Sequence, residues 1–142
     1  MQAKQYLKQA YRLNDLINSD LEELDELRNF SETISAPNYS GMPTSGTRSA
    51  EPTFAKAIDK IIDLEDHIND EIIRLVDLKK EIRSVISKVI DGDERLLLKY
   101  RYINFCTWDE ICEKMNVSMR TAHRIHSSAL ASVKVPESQG VS

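Results

Sequence analysis

Apolar residues recur every seven positions through the middle of the chain. A sustained period of seven is typical of helices that pack as a coiled coil, so the pattern predicts one long helix over residues 53–91. We expect its apolar face to mediate self-association. The predicted packing residues are Phe54, Ile58, Ile61, Ile68, Ile72, Leu75, Ile82, Ile86 and Val89. Ile58, Ile72 and Ile86 belong to a second row with the same period of seven. Glu65 and Lys79 occupy the positions of that row where further apolar residues would be expected.

An amphipathic helix is predicted before it, over residues 1–30, since apolar residues there recur at spacings of three and four without Pro or Gly. Residues 31–52 are rich in Ser, Pro and Gly, which predicts a flexible linker. A linker of this length permits an antiparallel hairpin of the two helices. Either the first helix or a second copy of the chain then covers the heptad face, and we favour a dimer.

The long helix is predicted to end at Asp91-Gly92-Asp93, where Gly supplies the terminal residue and Asp93 can cap the next helix. Residues 94–103 follow as a helix. Its inward residues are predicted to be Leu96, Leu97, Tyr100 and Ile103.

Two further helices complete a C-terminal segment over residues 92–134. Thr107 and Glu110 have the spacing of a capping box, so a helix is predicted to begin at Trp108. Ser118 is the predicted N-cap of the last helix, residues 119–131. The tail, residues 135–142, is predicted to be disordered.

The last helix has a slim apolar side and a polar, basic side. Ala122, Ile125 and Ala129 are small or medium residues that permit close helix crossing. This pattern is typical of a helix-turn-helix, whose second helix enters the major groove of DNA, where Arg can bind guanine with two hydrogen bonds. The residues predicted to contact DNA are Arg120, Thr121, His123, Arg124 and Ser127, with Lys99, Arg101, Thr107 and Lys114 nearby. The alternative is a helical bundle with a solvated basic face.

Charge is distributed unevenly along the chain. The formal net charge is −4, but residues 1–94 hold 12 Lys/Arg against 19 Asp/Glu, whereas residues 95–134 hold 7 against 3. The acidic total therefore belongs to the long helices, and the C-terminal segment is basic by +4. Such asymmetry favours a nucleic-acid partner for the basic segment.

Several classes of function are disfavoured. The sequence has no phosphate-binding loop, no dinucleotide turn and no nucleophile elbow, so we expect no enzyme activity and no cofactor. Apolar stretches are too short for a membrane span, and two cysteines make no disulfide framework, which favours the cytoplasm. Four zinc-ligand types lie close in sequence, but their spacing is unlike that of structural zinc sites, so no metal is predicted. They are Cys106, Cys112, His123 and His126.

The stretch LLLKYRYINFCTWDEICEKMNVSMRTAHRIHSSAL resembles region 4 of bacterial sigma factors, and more closely the ArpU/RinA-type late transcription regulators of phages and prophages. The similarity lies in Arg101-Tyr102-Ile103, Thr107–Ile111, Met115–Ser118, Arg120-Thr121 and Ala129-Leu130. It implies an all-α fold, a long helical hairpin followed by a sigma-region-4-like helix-turn-helix. Ala122 departs from the larger aliphatic residue of many relatives, and the acidic N-terminal half lacks the polymerase-binding character of full sigma factors.

Three functions follow as hypotheses. We expect a double-stranded DNA-binding regulator of phage or prophage origin, acting in the bacterial host cytoplasm, with RNA polymerase as a further candidate partner. A small terminase subunit is the first alternative, because that class also joins a DNA-binding helical domain to an oligomerising coil. A protein-binding helical adaptor is the second.

Overall fold

The computed structural model describes residues 1–35 and 45–136 and confirms the predicted all-α class. The helices are α1 (Ala3–Ser35), α2 (Ser45–Ser87), α3 (Gly92–Tyr102), α4 (Trp108–Met115) and α5 (Met119–Ser132). No strand occurs among the described residues. None of the helices described is both long enough and apolar enough to cross a membrane.

The chain forms two compact units, and both long helices contribute to each. The terminal unit contains Met1–Asn14 and the chain from Arg74 onward, whereas the middle unit is drawn from Asp15–Ile73. In the terminal unit, the first turns of α1 pack on the last turns of α2 and on α3 and α5. The buried members of this core are Tyr6, Leu7, Ala10, Ile82, Val85, Ile86, Val89, Leu98, Tyr102, Ile103 and Ala129.

The middle unit has a smaller core of its own, in which α1 again packs against α2. Leu24 is buried with Ile61 and Ile68 of α2. Arg28 forms an ion pair with Glu65 at the edge of this core. In the middle unit the two helices run antiparallel, since Asp20 lies near His67 and Arg28, later in α1, pairs with Glu65, earlier in α2.

Most of the predicted self-association face is covered within the chain. Five of its nine residues are buried: Ile61, Ile68, Ile82, Ile86 and Val89. Ile58 and Leu75 are half-buried, and Phe54 and Ile72 are exposed. The antiparallel hairpin, one of the two open alternatives, therefore accounts for the heptad row, and a second copy is not needed to bury it.

The two polar interruptions of that row have partners inside the chain. Glu65 accepts a hydrogen bond from Arg28. The Lys79 Nζ lies 4.3 Å from the centroid of the Phe105 ring. Burial lowers the pKa of Lys79, and Arg83 adds to that effect. Both positions are satisfied locally.

Both long helices extend into the segment that was predicted as a linker. Residues 31–35 and 45–52, predicted as linker, are helical, and 36–44 lie outside the described residues. Ser31 continues α1 because its hydroxyl donates to the Arg28 carbonyl at 3.1 Å. Of the predicted tail, residues 137–142 also lie outside the described part.

Two predictions about α3 were wrong. Its N-cap is Asp91 and not Asp93, since the Asp91 carboxylate accepts from the backbone N–H groups of Asp93 and Glu94, both at 3.0 Å. Leu96, predicted to face inward, is exposed, whereas Leu98 is fully buried. The reason is that α3 packs on two sides: Leu97 contacts α4 and α5, and Leu98 contacts the long helices.

Substitution of one fully buried isoleucine tests this packing. Ile82→Ala should lower the free energy of unfolding by about 2–5 kcal/mol, because it leaves a cavity in the terminal core. Val76→Ala, at a residue 60% exposed on the same helix and in the same unit, is the matched control and should change it by no more than about 0.5 kcal/mol. Urea denaturation followed by circular dichroism measures both. Equal losses in the two variants would contradict the placement of α1 on this face of α2.

Candidate nucleic-acid interface

Local hydrogen bonds set the start of α4, as the sequence predicts. The Thr107 hydroxyl accepts from the Glu110 N–H at 3.2 Å, and the Glu110 carboxylate accepts from the Thr107 N–H at 2.8 Å. This reciprocal capping box satisfies two backbone donors that a helix start leaves open. The same hydrogen bonds hold the pKa of Glu110 below its usual value.

A tight turn separates α4 from α5. Asn116 ends α4 in the left-handed conformation, with φ 56°, which Asn tolerates better than most residues. Ser118 then caps α5, since its side chain accepts from the Thr121 N–H at 3.1 Å. The predicted N-cap is confirmed, and α5 begins abruptly one residue later.

The two sides of α5 differ as predicted. Ala122 and Ala129 are fully buried, and Ile125 packs against the same small core as Ala122. The opposite side of α5 is exposed, and its first turn contains no acidic residue. The predicted contact residues on that exposed side are Arg120, His123, Arg124 and Ser127.

Thr121, also predicted to contact DNA, lies partly inside the turn. It is half-buried, and its hydroxyl accepts from the Ser118 hydroxyl at 3.0 Å. Its first role is therefore to stabilise the start of α5. Thr107 is exposed but is engaged in the capping box of α4.

Arg101, predicted as a DNA contact, is held within the protein. Its guanidinium donates to the Cys106 carbonyl at 3.0 Å. The guanidinium carbon lies 5.0 Å from the Tyr11 ring centroid and 4.9 Å from the Trp108 ring centroid. Arg guanidinium groups stack favourably on aromatic faces at such distances. Arg101 therefore joins α1 to α4, which sequence spacing does not reveal.

Trp108 links this stack to the exposed side of α5. Its ring centroid is 4.2 Å from that of His123 and 4.9 Å from that of His126. The His123 side chain is thus exposed and at the same time supported by an aromatic ring. The sequence predicted Trp108 only as the first residue of a helix, because its contact with His123 depends on the turn between α4 and α5.

The remaining two predicted cations lie on other elements. Lys114 is exposed near the end of α4, with its Nζ 5.6 Å from the Tyr100 ring centroid. Lys99 is exposed on α3 and lines a cavity of about 430 Å³ with Arg83 and Arg95. Arg83 and Arg95 were not predicted as binding residues. Their shared cavity with Lys99 depends on how α2 meets α3.

His126 is a buried member of the α5 inner side. Its Nε2 lies 2.7 Å from the Tyr102 hydroxyl. Burial lowers the pKa of His126 from 6.5 to about 4. Nearby cationic groups act in the same direction, and these are Lys4, Arg101, His123 and Lys8. The imidazole is therefore neutral near pH 7 and serves as a structural hydrogen-bond partner. The Tyr102 hydroxyl is kept protonated, because burial raises its pKa to about 12.

The four residues with zinc-ligand side chains have other partners. His126 is bonded to Tyr102, and His123 contacts Trp108. The Cys112 Sγ lies 4.0 Å from the Met119 sulfur. Both cysteines are free thiols, Cys106 buried and Cys112 half-buried.

The fold and the site define a class of protein: an all-α chain in which a basic helix is exposed on a compact group of helices. Residues 47–134 match a family model described as "Protein of unknown function (DUF1492)". The chain belongs to this family, and the match takes in α3, α4, α5 and nearly all of α2. No curated protein and no solved structure matches the chain.

The buried histidine makes stability depend on pH. The pKa of His126 is about 4 in the folded chain, whereas its ordinary value is 6.5. Between pH 6.5 and pH 4 the unfolded state therefore binds a proton that the folded state does not bind. Stability should therefore fall as the pH drops from about 6.5 to 4, by a contribution of about 3 kcal/mol. Urea denaturation at several pH values measures this contribution as a difference between wild type and His126→Asn. Ser127→Ala, at an exposed position of the same helix, is the control and should retain the wild-type dependence. An unchanged dependence in His126→Asn would contradict the assignment.

Proposed function

We propose that the protein is a sequence-specific, double-stranded DNA-binding transcription regulator that reads the major groove with α5. The observation that carries this proposal is the exposed side of α5, where Arg120, His123, Arg124 and Ser127 stand opposite a buried side of small residues. A slim, firmly seated helix with a basic outer side satisfies the physical requirements of a helix-turn-helix reader.

Each side chain has a role that its position supports. Arg120 lies in the first turn of α5, where the helix N-terminus also attracts anions. Arg120 and Arg124 are assigned to base edges, since a bidentate Arg–guanine contact contributes about 1–3 kcal/mol of discrimination. Lys114 and Lys99 are exposed cations assigned to phosphates. Arg101 is assigned to positioning, because its guanidinium is engaged by Tyr11 and Trp108.

The biological setting rests on the sequence resemblance. The α3–α5 segment is similar to the sigma-region-4-like regulators of phages and prophages. We therefore propose control of late genes in a bacterial host, with RNA polymerase as a candidate partner.

We also propose that two copies associate through the long helices. The residues assigned to this contact are not those of the heptad row. Ile62 and Ile73 are 49% and 60% exposed on α2 and belong to the middle unit. Eleven residues make about three helical turns, so these two side chains share one side of the helix. Leu16, Leu21 and Phe30 are exposed apolar residues of α1. A dimer would present two copies of α5 to two half-sites.

The DNA-reading assignment predicts distinct effects of two kinds of substitution. Arg120→Ala and Arg124→Ala should each reduce the preference for the selected site over unrelated DNA by about 5- to 100-fold. Lys114→Ala should weaken binding to all sequences alike and reduce the salt dependence of binding, because it removes one phosphate contact. Fragments selected from the source genome, followed by fluorescence anisotropy at several salt concentrations, provide the measurements.

Arg74→Ala is the matched control, since it removes the same charge from an exposed position on α2. It should leave site preference unchanged. If the Arg120/Arg124 double variant binds the selected site as tightly as wild type, α5 is not the reading helix. If the wild type binds no DNA even at low salt, the adaptor hypothesis replaces the regulator.

Solution mass tests self-association separately. The wild type should sediment as a dimer at micromolar concentration, and Ile62→Glu/Ile73→Glu should sediment as a monomer with its helical circular dichroism intact, because charges on that side would be buried without partners. Lys60→Glu, at another exposed position of α2, is the control and should remain dimeric. A wild-type monomer at all concentrations would contradict this part, and a ring of eight or more copies would favour the small terminase.

A further inference from the structure

We propose that Asp20, His67 and Glu71 form a binding site for a divalent transition metal ion, with Zn²⁺ as the fitting occupant. All three residues belong to the middle unit, Asp20 on α1 and the other two on α2. Their ligand atoms lie within 4.8 Å of one another. The proposal concerns a site apart from α5 and does not rest on DNA binding.

The distances fit metal coordination better than direct hydrogen bonding. The His67 Nε2 is 3.5 Å from the Asp20 Oδ2 and 3.4 Å from the Glu71 Oε2. An N–H···O hydrogen bond normally spans about 2.7–3.2 Å. Ligands bound to Zn²⁺ at about 2.0–2.2 Å in a tetrahedron lie roughly 3.3–3.6 Å apart. Both distances therefore match the edges of such a tetrahedron.

Burial supplies a second, independent reason. Glu71 is 3% exposed, and Ile68, one turn before it, is also buried. The Asp20 Oδ2 is enclosed and has no hydrogen-bond partner among the described residues. A buried carboxylate oxygen that accepts no hydrogen bond, as the Asp20 Oδ2 is, costs free energy unless a positive charge faces it. A divalent cation between the three side chains would supply that charge.

The local scaffold suits a metal site. His67 and Glu71 are four residues apart on one helix, so both side chains project from the same side of α2. Asp20 approaches from α1, whose packing on α2 is fixed in this unit by Leu24, Ile61 and Ile68. The side chain of His67 is 59% exposed, which leaves an open side where water can complete the coordination.

The ligand set favours some metals over others. One imidazole nitrogen with two carboxylates is suited to Zn²⁺ and to neighbouring transition metals such as Co²⁺ and Ni²⁺. Mg²⁺ and Ca²⁺ prefer oxygen ligands alone, and Ca²⁺ takes six to eight of them. We therefore expect binding of Zn²⁺ and no comparable binding of Mg²⁺.

The test uses the full chain without an affinity tag, stripped with a chelator and titrated with ZnCl₂ in a calorimeter. Wild type should bind one Zn²⁺ per chain with micromolar or tighter affinity, and Co²⁺ should give the visible absorption of a tetrahedral complex. His67→Gln and Asp20→Asn should each weaken Zn²⁺ binding at least about 10-fold. Zn²⁺ should also raise the melting temperature of wild type, since a ligand of the folded state stabilises it.

Two controls separate this site from other ligands on the chain. Asp70→Asn changes the same charge at an exposed position beside Glu71 and should bind Zn²⁺ like wild type. His123→Gln removes an exposed imidazole from α5 and should also bind normally. Circular dichroism checks that each variant is folded, and Asp20→Asn serves as the milder variant if His67→Gln is destabilised. Absence of Zn²⁺ binding by wild type, or wild-type affinity in both folded site variants, would overturn the proposal.

Discussion

Burial of one short stretch of α1 holds the terminal unit together. Tyr6, Leu7 and Ala10 have no exposed surface, and their core includes residues of α2, α3 and α5. Burying a large apolar side chain contributes about 1.5–3 kcal/mol, so these contacts join four helices strongly. The Tyr6 hydroxyl keeps a polar partner inside this packing, because it donates to the Glu81 carboxylate at 2.8 Å. Since α5 shares this core through Ala129, its exposed side is presented from a rigid support. The proposed contact of α5 with DNA would depend on such support, because base contacts tolerate little displacement.

A second layer of contacts aligns α4 with α5. Arg101 lies against Tyr11 and Trp108, and Trp108 in turn contacts His123. A guanidinium stacked between rings is restrained by both of them, which a flexible Lys at the same position would not reproduce. The guanidinium of Arg101 thus stabilises the arrangement of α1 and α4 within the protein. The neutral imidazole of His126, paired with Tyr102, adds a buried polar contact on the inner side of α5. Other cations stay exposed, and among them Arg120 and Arg124 lie on α5, where a ligand could reach them.

The sequence was sufficient for two of the three helix starts that depend on residues a few positions apart, whereas the N-cap of α3 is Asp91 and not the predicted Asp93. The capping box at Thr107 and the N-cap at Ser118 involve partners within three residues, and both were predictable. The heptad row correctly placed an apolar side along α2. The spacing of apolar residues predicts which side of a helix is apolar, but it does not predict which part of the protein covers that side. The engagement of Arg101 by Tyr11 and the meeting of Asp20 with His67 depend on the pairing of α1 with distant elements, which no local pattern encodes.

The polar residues that interrupt the α2 pattern lead to a further conclusion about the long helices. Glu65 is paired with Arg28, and Lys79 lies over Phe105. In a coiled coil between copies, such residues commonly restrict register or partner number. In this chain their charges are directed to partners within the same unit, so they restrict how α1 and the C-terminal helices pack on α2. The chain thus covers most of its own heptad face, although Phe54 and Ile72 of that face stay exposed. The proposed association of two copies is assigned to apolar residues outside that face, with Ile62 and Ile73 the most exposed of those on α2 in the middle unit.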